Sequence, residues 1–168
     1  MSVYNVGVKS AKVGDFNPTT GAITNLVEVE VYKDTMKITE EKPTKTKHYQ
    51  AGKSSPRKIA LQGGSETAAF SVMNTAAASL KTCLGGEVVT LNGRDKWVKA
   101  KGVATEQIKA LVVETLDGAI YTITRGSWSG VKNFDLSEGA IALMDIEIEA
   151  TDTGIEAIPD VSWEDPEE

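Results

Sequence analysis

Ser65–Gly93 reads S-E-T-A-A-F-S-V-M-N-T-A-A-A-S-L-K-T-C-L-G-G-E-V-V-T-L-N-G, and its reading decides the fold. Phe70 and Val72 alternate with Ala69 and Ser71, the period of two that half-buries a strand. Asn74 is placed to cap a helix by accepting from the free N–H groups of the first turn. Ala76, Ala77, Leu80, Cys83 and Leu84 then share one face of a short helix, about Thr75–Leu84, and Gly85 or Gly86 can end it in the left-handed conformation. A helix of about 10 residues does not hold itself together in water. Its apolar face needs a sheet, and the rest of the chain must supply one.

The remainder is written in hairpins. Val27, Val29 and Val31 alternate with Glu28, Glu30 and Tyr32, and Met36 and Ile38 follow Lys33-Asp34, which predicts a hairpin reversing at those two residues. Val88–Leu91 and Asp95–Lys99 flank Asn92-Gly93, the strongest short hairpin signal, with Trp97 over a core edge. Ile108–Val113 is nearly continuously apolar, as in a strand buried on both faces, and Leu116–Ala119 turns it back into Ile120–Thr124. Ser127–Gly130 and Phe134 read as an irregular connection. Ala140–Ala150 is a long strand: Ala140, Ala142, Met144, Ile146, Ile148 and Ala150 form one apolar face, while the other passes from Ile141 and Leu143 to Asp145, Glu147 and Glu149. Val3–Val8 could be a first strand, followed by a turn-rich loop or arm through Asn17-Pro18 and Gly21. The fold class is mainly β: an antiparallel sandwich or barrel-like domain with one short helix, spanning residues 1–151.

Two segments fall outside that pattern. Glu41–Ser55 is polar and reads as a long loop, about 41–58. It carries Lys42, Lys45, Lys47 and Lys53, then Arg57 and Lys58, with no acid from Lys42 to Lys58. A loop of that length in a small domain is functional or disordered. At the other end, residues 152–168 form an acidic tail without periodicity, expected to be mobile. All 18 Lys and Arg lie at or before Lys132, and ten acids with no base fill Asp145–Glu168. A basic body with an acidic end points to self-association or an electropositive partner as readily as to a solubilising tail.

The usual chemistries find little to work with. The only imidazole is His48, in the basic segment, and Cys83 sits on the apolar helix face away from any His in sequence, so no nucleophile–base pair is suggested. Asp152-Thr153-Gly154 matches the aspartic-protease triplet, but it leads into an acidic tail rather than an apolar loop. No phosphate loop, zinc motif or calcium loop is present. One cysteine excludes an internal disulfide. The opening residues do not resemble a signal peptide, and no run reaches the ~20 apolar residues that span a bilayer. The expectation is a soluble protein without catalysis, cofactor or metal.

Two passages carry a resemblance to a known family. V-E-V-Y-K-D-T-M-K-I-T-E-E-K-P-T-K-T-K-H-Y-Q (Val29–Gln50) is an early hairpin followed by a basic arm, and F-S-V-M-N-T-A-A-A-S-L-K-T-C-L-G-G-E-V (Phe70–Val88) is a strand running into a short helix that ends in Leu-Gly-Gly. Over roughly Val27–Ala150 the chain resembles the tail tube (major tail) proteins of long-tailed bacteriophages, which are similar in fold to the type VI secretion tube protein. The resemblance implies a virion protein assembled in the host bacterial cytoplasm, with six copies forming rings that stack into a tube joined to other tail proteins. DNA would pass through the lumen without specific binding. It further implies that Lys42, Lys45, Lys47, Lys53, Arg57 and Lys58 meet Asp145, Glu147, Glu149 or the tail of a neighbouring copy, with Glu28 and Glu30 facing the lumen. Other expectations stay open: a type VI secretion-like tube, another tail or tail-completion protein, or a soluble β-sandwich binding module.

Overall fold

The computed structural model describes residues 6–102 and 106–167. The strand and helix read from Ser65–Gly93 are both present: β6 (Glu66–Val72) buries Ala68, Phe70 and Val72, and α1 spans Ala77–Leu84. The remaining elements are strands. β1 (Val8–Phe16), β2 (Ile23–Val29), β3 (Lys37–Glu40), β4 (Thr44–Tyr49) and β5 (Pro56–Gln62) precede β6, and β7 (Glu87–Leu91), β8 (Arg94–Val98), β9 (Gln107–Thr115), β10 (Ile120–Phe134), β11 (Ala142–Ala150) and β12 (Val161–Glu164) follow α1. The fold is mainly β, and the ladders are antiparallel.

The main sheet runs β2-β1-β9-β10-β11-β6-β3, with β12 added to β10. Its ends touch. Val31, just past β2, bridges Val72 of β6; Tyr32 N–H donates to Ser71 O at 2.7 Å and Met73 N–H to Glu30 O at 3.0 Å. The sheet therefore curls around its core and meets itself at one bridge, short of a ladder that would close a barrel. Inside lie Val13, Val29, Phe70, Leu111, Ile123 and Ile148 among others, supplied by six neighbouring strands.

The expected reversal at Lys33-Asp34 does not occur. β2 and β3 do not pair; both run antiparallel to β6 or its continuation, so the chain passes the turn without changing direction. Thr35 closes that turn, its N–H and hydroxyl both donating to Tyr32 O, and Asp34 takes a positive φ of 60°. Partner indices along β6 sum to 103 at Val31–Val72 and to 106 from Lys37–Ala69 onward. The segment is thus one long strand with a three-residue bulge. Two apolar stretches of equal period look alike whether the turn between them reverses or bulges, and β6 offers a longer apolar partner than either stretch offers the other.

Other boundaries also differ. The first strand begins at Val8 and continues through Phe16, so only Asn17–Gly21 is turn; residues 3–5 of the expected Val3–Val8 strand lie outside the described residues. Asn74 does not cap α1: its Oδ1 accepts from Ala76 N–H at 3.0 Å, and Ala76 is the N-cap. Ser127–Phe134 is no irregular connection but the second half of the 15-residue β10. The C-terminal segment is no free tail either. Thr124 N–H donates to Asp160 O, Thr153 N–H donates to the Asp160 carboxylate at 2.8 Å, and β12 pairs with Ile120–Ile123.

Helix α1 packs on the core face of β10, over Trp128 and Gly130, and against β8. The last carbonyls of a helix lack intrahelical donors, and two tryptophans reach them: Trp128 Nε1 donates to Cys83 O at 2.8 Å, and Trp97 Nε1 donates to Gly85 O at 2.7 Å. Gly85, at φ 73°, ends the helix with its N–H on Lys81 O. Gly130 of β10 lies directly beneath, where a Cβ would run into the Cys83 carbonyl. Lys132 stands 4.2 Å from the centre of the Trp97 ring.

Candidate functional site

The segment expected to be a long loop is a β-ribbon. β4 and β5 pair from Thr44–Gln62 to His48–Lys58, and every pair again sums to 106, the register of β3 with β6. Glu41 N–H donates to Ser65 O at 2.9 Å between the two ladders. Gly64 allows the two chains to pass there, since a Cβ at that position would collide with the Glu41 backbone. β3–β4 and β5–β6 therefore form one hairpin in a single register from Lys37 to Ala69, its ladder interrupted at residues 41–43 and 63–65. Nine in-register pairs lie within the twelve residues Lys37–His48, which reach about 40 Å at ~3.3 Å per residue, and the distal half stands clear of the core. Residues opposite each other share a face, so Lys45, Lys47, Ile59 and Leu61 lie on one side; Tyr49 follows Lys47 by alternation and pairs with Pro56, where the register shifts and leaves Arg57 as the extra residue. The other face carries Thr44, Thr46, His48, Lys58, Ala60 and Gln62.

This arm is exposed along nearly its whole length, with only Pro56 and Ala60 partly covered. Lys42, Lys45, Lys47, Lys53, Arg57 and Lys58 are all exposed, as are Tyr49 (56%), Ile59 (49%) and Leu61 (66%). Sequence reading found the charges but not the apolar row of Ile59 and Leu61 beside them. Their spacing of two, opposite Lys47 and Lys45, was the available signal.

A second surface lies on the side of β3, β6, β11 and β10 away from the core. Three rows cross it: Val131, Asp145 and Ser71; Ser129, Glu147, Ala69 and Lys37; and Ser127, Glu149, Thr67 and Thr39. Apart from Val131 and Lys37 at its margins, this face has small, hydroxyl or acidic side chains. Asp145 is half-buried and already engaged, with one oxygen accepting from Ser71 Oγ at 2.7 Å and the other from Asn133 Nδ2 at 3.0 Å. Glu147 and Glu149 are exposed. Glu28 and Glu30 belong to another part of the sheet: Glu28 stands opposite Lys12 of β1, and Glu30 accepts from Asn74 Nδ2 at 3.0 Å.

The four-strand face ends in two open edges. β3 pairs with β6 alone. On β10, the β9 ladder stops at Gln107–Trp128, leaving no described ladder along Ser129–Phe134 on that side. Unpaired edges of this kind present a row of N–H and C=O groups to another strand.

The groups weighed for catalysis are dispersed. His48 is on the arm opposite Lys58. Cys83 is fully buried under α1, and burial pushes its thiol up to about 11. Asp152 closes a tight turn by accepting from Gly154 N–H at 2.8 Å, and Thr153 is buried between Ile155 and Ile158 carbonyls. Among the described residues no group of three or more His, Cys, Asp or Glu is placed to hold a metal ion, and no helix is long and apolar enough to cross a membrane. The chain matches no protein-family model and no curated protein sequence.

Proposed function

We propose that the protein is a structural subunit that assembles with copies of itself into rings and tubes, as the tail tube proteins of bacteriophages do. The observation that carries this reading is the four-strand face, acidic and nearly free of large apolar groups, bounded by two open edges. β3 and β10 run in opposite directions, so β3 of one copy can add antiparallel to the Ser129–Phe134 edge of the next. Repetition around a ring leaves no edge unpaired, the general solution to exposed strands.

In that arrangement the smooth face turns inward as the wall of a channel. Glu147 and Glu149 repel phosphate there, and, apart from Lys37 at the margin, the short side chains around them offer no stacking platform or cation to hold a nucleic acid. Glu28 and Glu30 suit this role less well, one being opposed by Lys12 and the other bonded to Asn74. The arm reaches out of the ring to a neighbouring copy. No catalytic step is part of the proposal; the work is strand addition and charge.

Negative-stain microscopy across a concentration series tests the reading. Rings or tubes with an axial channel are the expected result. A monomer at every concentration and ionic strength would overturn it.

A further inference from the structure

The positive charge of the chain is gathered on the arm. Lys42, Lys45, Lys47, Lys53, Arg57 and Lys58 fall within 17 residues that hold no acid, while the rest of the chain sets its other 12 bases against all 24 acids. Among the described residues the one ion pair is Lys9–Glu114, so no described acid of the chain holds any of the six. The cations are placed all round the ribbon. Lys45 and Lys47 lie on one face, Lys58 on the other opposite His48, Arg57 where the register shifts, and Lys53 in the turn at the tip. The face shared with Lys58 also carries Thr44, Thr46, His48 and Gln62, hydrogen-bonding side chains without a carboxylate. Thr44–Tyr49 spans about 20 Å at ~3.3 Å per residue, more than half of the ~34 Å turn of a DNA duplex.

We propose that the arm of the unassembled chain is a binding site for duplex DNA, lying in the major groove with its lysines on the phosphates of both walls. That groove admits a two-stranded ribbon, and a ribbon with cations on both faces meets phosphate on either side of it. A planar anionic membrane would engage one face and leave the other unpaired. Single strands bind by stacking on aromatic side chains, and Tyr49 is the one aromatic between Lys42 and Lys58. Ile59 and Leu61 find apolar contact in the thymine methyls of the same groove. Arg57, the arm's one guanidinium, already donates to Gln50 Oε1 at 2.9 Å, so the contact is with phosphate and indifferent to base sequence. The acidic remainder of the chain keeps the body off the duplex. In the assembly proposed above the arm is turned to a neighbouring copy, so this site belongs to the free subunit, and duplex and assembly compete for one ribbon.

Fluorescence anisotropy of a labelled DNA duplex tests this, with the full chain held below the concentration at which sedimentation velocity detects association. Two duplexes of unrelated sequence should bind alike at 50 mM salt. With about four phosphates neutralised, binding should weaken about 100-fold on raising the salt to 200 mM. Lys45→Gln with Lys47→Gln and Lys58→Gln removes three of those contacts, so the slope of log affinity against log salt should fall from about −3.6 to about −1. Lys96→Gln with Lys99→Gln, on the body, should bind like the parent. All five positions are exposed, and circular dichroism checks that each fold is retained. No binding at 50 mM salt, or an equal loss in the body variant, overturns the proposal. So does an RNA duplex bound as tightly as DNA, because its major groove is too deep and narrow for the ribbon. Phosphatidylserine vesicles bound in preference to the duplex would make the partner a membrane and overturn it as well. None of these outcomes touches the assembly reading, which rests on microscopy at high concentration.

Discussion

Trp128→Phe isolates the bond that fixes the helix to the sheet. Trp128 is 3% exposed, its indole N–H donates to Cys83 O at 2.8 Å, and its ring meets Phe70 edge-on with centroids 5.9 Å apart. Phenylalanine keeps an aromatic ring for Phe70 but has no donor. The Cys83 carbonyl lies in the last turn of α1, where no intrahelical N–H is available, so it is left buried and unpaired at a cost of about 1–3 kcal/mol. The smaller ring leaves a gap of one or two methylene equivalents, adding about 1–2 kcal/mol. Together these give about 3 kcal/mol. With a urea slope near 2 kcal/mol/M for a chain of this size, the midpoint should fall by roughly 1.5 M. Unfolding of dilute, unassembled protein followed by far-ultraviolet circular dichroism measures this without relying on the substituted fluorophore. Trp163→Phe is the control, since the exposed Trp163 makes no hydrogen bond to α1, and its midpoint should move by a few tenths of a molar at most. A Trp128→Phe midpoint within ~0.3 M of the parent would mean that the indole bond does not hold the helix.

Gly130→Ala should destabilise by about 1–3 kcal/mol by overpacking, because its Cβ would strike the Cys83 carbonyl and approach Leu84 and Ile146 side chains at 3.0 Å; Gly63→Ala, with nothing within 4 Å, should stay within ~0.5 kcal/mol in the same urea assay. Cys83 carries a folded-state pKa of about 11 against 9.0 for a free thiol. The folded chain therefore holds that proton more tightly, and stability should be level below pH 9.0 and decline from there toward about pH 11. A Cys83→Ala variant should lack that component of the decline in melts across the range. Tyr121 donates to Glu66 at 2.7 Å, and desolvation together with that bond holds its phenol above the usual value. In a spectrophotometric titration it should remain protonated above the pH at which a free tyrosine ionises. Glu147→Lys with Glu149→Lys should leave assembly intact and make tubes retain DNA in a filter-binding assay; tubes that still shed DNA would remove these acids from the channel wall.

The local elements were legible where one physical rule decides them. Asn92-Gly93 can adopt the positive φ values of 52° and 73° that a two-residue hairpin turn demands, and the strands on either side followed. The apolar faces of β6 and of β11 from Ala142 onward were read correctly because a strand buried on one side must alternate, while Ala140, expected on the same face, is exposed ahead of the strand. Failures came where two outcomes share one pattern. Lys33-Asp34 is good turn chemistry for a reversal and equally good for a bulge, and only the distant β6 chooses between them. Trp128 and its neighbours Ser127, Ser129 and Gly130 looked irregular because glycine and serine suit loops. Here Gly130 is demanded by the helix above it and the serines by a wet outer face. Neither cause is present in the local sequence.

The same limit applies to the candidate surfaces, and it shows what the arm is built for. Its charges stood out in the sequence because no acid interrupts them. Its β structure was hidden, since Thr44–Tyr49 buries nothing and so has no hydrophobic alternation to read. A strand of that kind forms only if its partner is already in register. The common sum of 106 in the Lys37–Glu40 and Thr44–His48 pairs supplies that condition: the core-anchored pairs of β3 and β6 set the register, and the arm extends it outward. Hairpins gain little from such an extension in a monomer, where each added pair orders two residues against solvent. The Tyr49, Ile59 and Leu61 row makes the extended form costlier still while it faces water. A contact that covers this row would change the balance, and the arm's stiffness then becomes an advantage, because a pre-ordered ribbon loses less entropy on docking than a free loop of equal length.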